Sequence, residues 1–333
     1  MAPAPDVLTR LALSRGTLDR ASHRRTDTGL MPSLLADPAT RVLALSADQH
    51  AELEDDATSP TGRGLAYRAP EPADVQRLAF FLGEEAPRAG ASGGLPAHAG
   101  PTAYVAVVDP TPRAQDEGWV SLRDAGLDLG ARDAGVFTTA QALLNWHARH
   151  EFCPRCGAPT EPVAAGWQRR CTVDGSEHYP RTDPAVIMSV LDDDDRMLLG
   201  RSPLWPEGRF SVLAGFVEPG ESFEAAVARE VMEEVGIGVT DVTYLGNQPW
   251  PFPASGMIGF RARALSTHLT LDPVEIAEAS WFSREEYVGA LREGGLRTPS
   301  GISIAQRMIE HWLGMPVEEA VAAAGGADHR IIW

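Results

Sequence analysis

Residues Gly215 to Ile237 read GFVEPGESFEAAVAREVMEEVGI, and Glu230, Glu233 and Glu234 stand there at i, i+3 and i+4. On a helix that spacing sets three carboxylates on one face. A solvated acidic face is the ordinary explanation for neighbouring glutamates. Here, however, like charges repel across one turn, and only Arg229, four before Glu233, compensates nearby in sequence. Ala225, Ala226, Val227 and Val231 make the rest of the segment small and apolar, as a buried helix would be. Carboxylates crowded beside a buried helix call for a cation. Hard oxygen ligands suit Mg²⁺ or Mn²⁺, bound together with substrate phosphates. A second cluster stands upstream, where Cys153-Pro-Arg-Cys156 is followed by Cys171, spacing suited to a zinc ribbon.

The elements that must position these groups follow from caps and periodicity. Ser222 is a good N-cap, Glu224 favours the positive helix start and Gly236 is a natural stop, predicting a helix over Phe223 to Val235. Strand-like runs surround it: AVIMSVL, RMLLG, FSVLAGF, DVTYLG and MIGFRARAL. Further upstream, Val42 to Leu45 and Tyr104 to Val108 read as strands. Gly83 to Pro101 reads as a flexible loop. Thr138 to His150 turns helical and runs straight into Cys153, which opens a short module reaching about Tyr179. Ser283 to Trp333 reads as helices with an Ala/Gly-rich end, and no repeat of fixed period occurs. An α+β layered architecture fits this order of elements.

The 333 residues exceed one usual domain, and 44% hydrophobic content is enough for a sizeable core. A run of 18 apolar residues is absent, so no membrane span is expected. Met1 to Leu13 lacks a basic segment followed by an apolar core, which argues against a secretory signal and for a cytoplasmic protein. The net charge is −17, and every one of the 29 basic residues is arginine. Such acidity argues against non-specific grip along nucleic-acid backbones, but not against recognition of one phosphate-bearing end. Three cysteines within nineteen residues do not make a disulfide framework; they suit a metal cluster in a reducing compartment.

The glutamate segment resembles the box of the Nudix hydrolases, G-x5-E-x7-R-E-U-x-E-E-x-G-U with U aliphatic. Gly215, Glu221, Arg229, Glu230, Val231, Glu233, Glu234, Gly236 and Ile237 fill every specified position. The resemblance implies an α/β/α sandwich that cleaves nucleoside diphosphates linked to another moiety, with a loop–helix–loop holding catalytic metals. Downstream, Asn247 to Ser255 (NQPWPFPAS) resembles the SQPWPFPxS segment of the NADH pyrophosphatase branch, departing only at Asn247. Three prolines stiffen this loop, which pre-places aromatic and polar groups for a flat base.

That branch implies hydrolysis of NADH or NAD⁺ to nicotinamide mononucleotide and AMP, and removal of NAD caps from RNA 5′ ends. It also implies a homodimer. By the same resemblance the metals fall to Glu230, Glu233, Glu234 and Glu275, with Gly215, and Glu278 is a nearby alternative to Glu275. Glu234 is the first choice for general base and Glu233 the second, with Arg229 orienting the glutamates. Substrate contacts fall to Phe216, Tyr179, Gln248, Trp250, Ser255 and Ala305. The family's zinc set closes with a second CxxC, but here Asp174 holds the matching position and His178 lies four beyond. The fourth structural Zn²⁺ ligand is therefore His178 or Asp174, with His178 ahead because Cys3His is the commoner set; a knuckle without metal is the alternative. The expected domains are 1–150, Nudix-like and non-catalytic, 151–180, zinc-ribbon-like, and 181–333, catalytic. The readings set aside are a Nudix enzyme for ADP-ribose or another dinucleotide and a catalytically dead nucleotide sensor.

Overall fold

The computed structural model describes residues 8, 11–57, 59–86 and 100–325. Most of the loop expected from Gly83 to Pro101 lies outside the described residues, as do most of Met1 to Leu13 and the end of the Ala/Gly-rich tail. The chain forms two compact units: Leu13–Thr182 with Trp250–Ala254, and Met1–Ala12 with Asp183–Pro249 and Ser255–Trp333. The zinc-ribbon segment, expected as a domain of its own, falls inside the first unit. Residues 250–254 also count with that unit, although in sequence they interrupt the second.

The first unit is built on a seven-stranded mixed sheet. Its strands are β1 (Arg41–Ser46), β2 (His50–Asp55), β3 (Arg63–Leu65), β4 (Tyr67–Arg68), β5 (Ala79–Glu85), β6 (Thr102–Asp109) and β7 (Trp119–Ser121). β1 runs parallel to β6, and β5 closes antiparallel on β6. β1, β5 and β6 bury apolar residues in near-continuous runs, as strands covered on both faces do. α1 (Leu30–Ala36) turns Leu30 and Leu34 into a core with Val42, Phe81, Val105 and Val107. After α2 (Leu122–Ala125) comes α3 (Ala131–His147), which starts seven residues before the expected Thr138 because a helical run ARDAGVF precedes it. A three-stranded sheet follows, of β8 (Thr160–Val163), β9 (Gln168–Cys171) and β10 (Glu177–His178).

The second unit has a six-stranded mixed sheet in the order β14-β15-β11-β12-β16, with β13 on β11. These strands are β11 (Asp183–Leu191), β12 (Met197–Arg201), β13 (Leu213–Phe216), β14 (Val239–Trp250), β15 (Ser255–Ala264) and β16 (Glu278–Phe282). β11 and β15 are parallel, pairing Asp183 with Ser255 through Leu191 with Arg263. α4 (Phe223–Val235) has the predicted bounds: Ser222 Oγ accepts from the Ala225 amide at 3.2 Å, and Gly236 ends it at φ 70°. One stripe of α4, Ala226, Val227, Val231 and Val235, packs on Val186, Met188, Leu213 and Phe260 of the sheet. α5 (Arg284–Arg292), α6 (Ile304–Leu313) and α7 (Val317–Ala323) complete a second core with Ile187, Leu199 and Leu245. Helices therefore bury against both faces of one sheet, the layered arrangement expected.

Candidate active site

The face of α4 beside its valine stripe carries the chemistry. Glu230 and Glu234, one turn apart, are only 8% and 7% exposed, while Glu233 is exposed. Glu275, just before the buried Ile276, brings a carboxylate oxygen to meet them, and the three oxygens lie within 4.8 Å of one another. These groups, Glu233 and Phe216 line one open cavity of about 640 Å³. Gly215, on β13 opposite Val186, makes the room: a Cβ there would fall inside the Glu230 carboxylate. Glu278, the alternative to Glu275, is spent on a surface ion pair with Arg201 at 2.5 Å.

Arg229 fixes the cluster from the side. Its Nε and Nη2 donate to the two oxygens of Glu221 at 2.8 and 2.9 Å, and Nη2 also reaches the Phe216 carbonyl at 2.9 Å. Nη1 donates to Glu230 Oε1 at 2.9 Å and to Glu233 Oε2 at 2.8 Å. The Glu221 hydrogen bonds lead the effects that hold this guanidinium well above its usual range. Glu233 was expected among the metal carboxylates, yet it is held to Arg229 and does not join Glu230, Glu234 and Glu275. Its i+3 position points it away from the Glu230–Glu234 edge and onto an arginine four residues earlier.

Glu234 sits at the charged centre. Burial first, and then the charges of Glu230 and Glu275, push its carboxyl up to about 8. Its Oε2 is buried and has no hydrogen-bond partner among the described residues. A buried orphan acceptor beside two more carboxylates, in a cradle that a Cβ would fill, fits a divalent cation.

The zinc-ribbon segment gathers Cys153, Cys156, Cys171 and Asp174, whose ligand atoms lie within 4.8 Å of one another. Asp174 Oδ1 accepts from the Ser176 amide at 2.9 Å and its hydroxyl at 2.6 Å. That leaves Oδ2 toward Cys153 Sγ, at 3.9 Å. The Ser176 bonds hold Asp174 well below the usual carboxylate range. His178 stands outside the group, its Nε2 3.2 Å from Ser176 Oγ. The geometry thus favours Asp174, reversing a preference drawn from how common each ligand set is. The contact with Ser176 Oγ, 3.4 Å from Sγ, leads the effects that bring the Cys153 thiol down to about 6, toward the thiolate that a metal needs.

Of the expected substrate contacts, Phe216 stands 61% exposed on the cavity wall. Tyr179, in the first unit, is 62% exposed with its hydroxyl donating to Glu177 at 2.9 Å. Gln248 differs from expectation: it is buried and its Nε2 donates to the Ile302 carbonyl at 2.6 Å, which anchors the approach to α6. Ala305 lies buried in the first turn of α6, its amide capped by Ser303 Oγ at 3.1 Å. Ser255 opens β15 opposite Asp183.

The proline-rich loop is held by residues that the sequence reading passed over. Gln141 and Asn145 of α3 donate to the Pro251 carbonyl at 2.9 and 2.8 Å, and Asn145 also to that of Pro253 at 3.2 Å. Trp250 meets Phe252 edge-on at 4.8 Å, and the Arg123 guanidinium lies 3.9 Å from the Phe252 ring centre and 5.2 Å from that of Trp250. Arg123 belongs to no motif. Gln141 and Asn145 carried a signal, being a polar i, i+4 pair on an otherwise apolar helix face.

A carboxylate cluster on a loop–helix segment over a mixed parallel-centred sheet defines a Nudix hydrolase, and the model of the NUDIX domain matches residues 181–299. The NADH pyrophosphatase zinc ribbon domain matches residues 148–179. A Mycobacterium bovis protein named NAD-capped RNA hydrolase NudC is 41% identical over 310 residues, 90% of this chain and 94% of that protein. The Mycobacterium tuberculosis protein of that name is 40% identical over the same shares. An NAD-capped RNA hydrolase of Homo sapiens is 43% identical over 199 residues, 56% of this chain and 43% of its own length. The chain belongs to the Nudix hydrolases, in the family that carries the NADH pyrophosphatase zinc ribbon.

Proposed function

We propose that the chain hydrolyses the pyrophosphate of NADH and NAD⁺ to nicotinamide mononucleotide and AMP, and removes NAD caps from RNA 5′ ends. The observation that carries the hydrolysis is the convergence of Glu230, Glu234 and Glu275 beside Phe216, with Glu234 Oε2 left without a partner among the described residues. The names of the relatives that span nearly the whole chain support NAD and capped RNA as its substrates.

Glu230, Glu234 and Glu275, with backbone at Gly215, would hold Mg²⁺ or Mn²⁺, which neutralises diphosphate charge and lowers the pKa of a bound water. Arg229 keeps Glu230 and Glu233 in place without touching substrate. Glu234 is the first candidate to accept the proton of the attacking water, and Glu233, exposed at the cavity rim, the second. Phe216 offers a ring face for a base, with Tyr179, Trp250 and Ser255 contributing to selectivity for the nicotinamide half. Gln248 and Ala305 serve by positioning the start of α6. Cys153, Cys156, Cys171 and Asp174 would hold a structural Zn²⁺ with no open position. On this reading residues 1–150 form a non-catalytic Nudix-like domain, the enzyme is a homodimer, and it works in the reducing cytoplasm.

A substrate panel at fixed Mg²⁺ and at fixed Mn²⁺, with products identified, tests the assignment. NADH and NAD⁺ should give nicotinamide mononucleotide and AMP at rates well above those for ADP-ribose, diadenosine polyphosphates or coenzyme A. Trp250→Ala should raise KM for NADH far more than for ADP-ribose. Equal effects on both would reduce the loop to a structural part, and a faster rate on ADP-ribose would replace the substrate.

A further inference from the structure

The geometry points to a second binding site, within the first unit, for the 5′-phosphate of a nucleoside. A cavity of about 350 Å³ opens between α1 and the turn at residues 164–166. That is the lower end of the range for small-molecule sites. α1 sends Leu30 and Leu34 into the core, and one position on, Met31 and Leu35 line the cavity beside the exposed Val75. Arg25 and Arg77 also line this cavity. The lining thus combines apolar side chains with two arginines, the two kinds of contact a nucleoside and its phosphate require.

Arg25 is held as a preformed donor. Its guanidinium lies 3.6 Å from the ring centre of Trp167, and that ring is pinned by Nε1 donating to the Phe81 carbonyl at 2.6 Å. Nη2 donates to the Arg20 carbonyl at 3.2 Å. The Nε of Arg25 is buried and has no hydrogen-bond partner among the described residues. A buried charged donor left unmet is costly, and native structures rarely keep one without a use. Burial, and then repulsion from Arg20, lower the pKa of Arg25.

Arg77 also carries charge that its neighbours do not neutralise. Its nearest carboxylate, Asp74 at 3.7 Å, is already taken by Arg68 through two bonds of 2.6 and 2.7 Å. One carboxylate cannot neutralise both. The acid on the cavity wall, Asp27, accepts the Gly29 amide at 2.8 Å. In a chain of net charge −17, this pocket holds more cation than anion. A phosphomonoester offers three oxygens to two planar forks, which suits arginine better than one carboxylate does. Such a group comes from a free mononucleotide, which cleavage of a dinucleotide releases, or from the 5′-monophosphate end of an RNA.

Calorimetric titration of the full chain with AMP tests this. Buffer without added Mg²⁺ or Mn²⁺ leaves the glutamate cluster repelling phosphate, and omission of chelators preserves any zinc. Wild type should bind one AMP per chain, with inorganic phosphate competing and adenosine failing to bind. Arg25→Met keeps the apolar stem and removes the fork, and should weaken AMP at least tenfold. Val75→Glu adds an anion at an exposed position on the cavity lining, and should do the same. A hexanucleotide with a 5′-monophosphate that binds at least tenfold tighter than AMP assigns the site to RNA ends, and equal affinity assigns it to free nucleotides. No AMP bound by wild type, or both folded variants binding like wild type, overturns the proposal.

Discussion

Arg229 donates to oxygens of Glu221, Glu230, Glu233 and Phe216, and that crowding sorts the glutamates of α4. Glu233 is drawn to the arginine, while Glu230 and Glu234 stay with Glu275. The i, i+4 pair was legible from spacing alone, since one helical turn superposes the two side chains. Glu233 was not, because the pull of a neighbour one turn earlier competes with the pull of a metal and spacing cannot rank the two. Glu234→Gln keeps size and helix propensity but removes the carboxylate that a bound divalent cation would hold ionised. Its kcat on saturating NADH should fall at least a hundredfold, a barrier rise of roughly 3 kcal/mol. Glu233→Gln should retain more activity than Glu234→Gln, and the exposed Glu224→Gln, outside the box positions, should stay near wild type. Circular dichroism should show all three folded, and a Glu234→Gln enzyme keeping over about a third of kcat would move the base to Glu233.

At the scale of elements, the caps of α4 were readable because Ser222 and Gly236 act locally. The tethering of the proline loop by α3 was not, because it joins residues 110 apart. The zinc-ribbon sheet makes two predictions of its own. Asp174→Ala should lose bound zinc and lower the Tm together, because metal binding is coupled to folding, while His178→Ala should keep both. Zinc analysis showing the reverse would give the site to His178. The second concerns His147 at the end of α3, buried and stacked on Phe80 at 4.9 Å. Arg169 Nη1, 2.8 Å from Nδ1, can only donate, so Nδ1 accepts and Nε2 donates to the Gly166 carbonyl at 2.8 Å. That ring is neutral, and burial brings its pKa down from 6.5 to about 4. The unfolded chain then binds the proton more readily, so stability is complete above pH ~6.5 and is lost as pH falls toward ~4. The loss approaches roughly 3 kcal/mol. Denaturant titrations at pH 6.5 and 4.5 should show His147→Gln losing less stability over this interval than wild type. Equal losses would mean that His147 does not set the acid limit.

The whole molecule repeats one device, since each unit has a mixed sheet that contains a long parallel pair, β1 with β6 and β11 with β15. Composition and alternating strands were enough to read the α+β class. The partition of the chain was not legible, because Trp250–Ala254 counts with the first unit and is bonded to Gln141 and Asn145, a pair whose spacing marks a polar face but not its distant partner. Charge does act at this scale. At −17, with arginines tied into pairs such as Arg113–Asp109, Arg196–Asp192 and Arg307–Glu310, the surface gives an RNA backbone little to hold. A protein that neutralises six to ten phosphates loses roughly a thousandfold or more in affinity between 50 and 200 mM salt. On the proposed function this chain should behave otherwise on capped RNA, because a net charge of −17 leaves the cap and the nucleotides beside it as the part it can hold. KM for an NAD-capped pentamer and for a capped forty-mer should agree within about threefold, and KM for either should rise less than about tenfold over that salt range. Decapping kinetics on the two lengths at both salts measure this directly. A forty-mer bound tenfold more tightly, with a steep salt slope, would reveal a phosphate-tracking surface and defeat the argument from net charge.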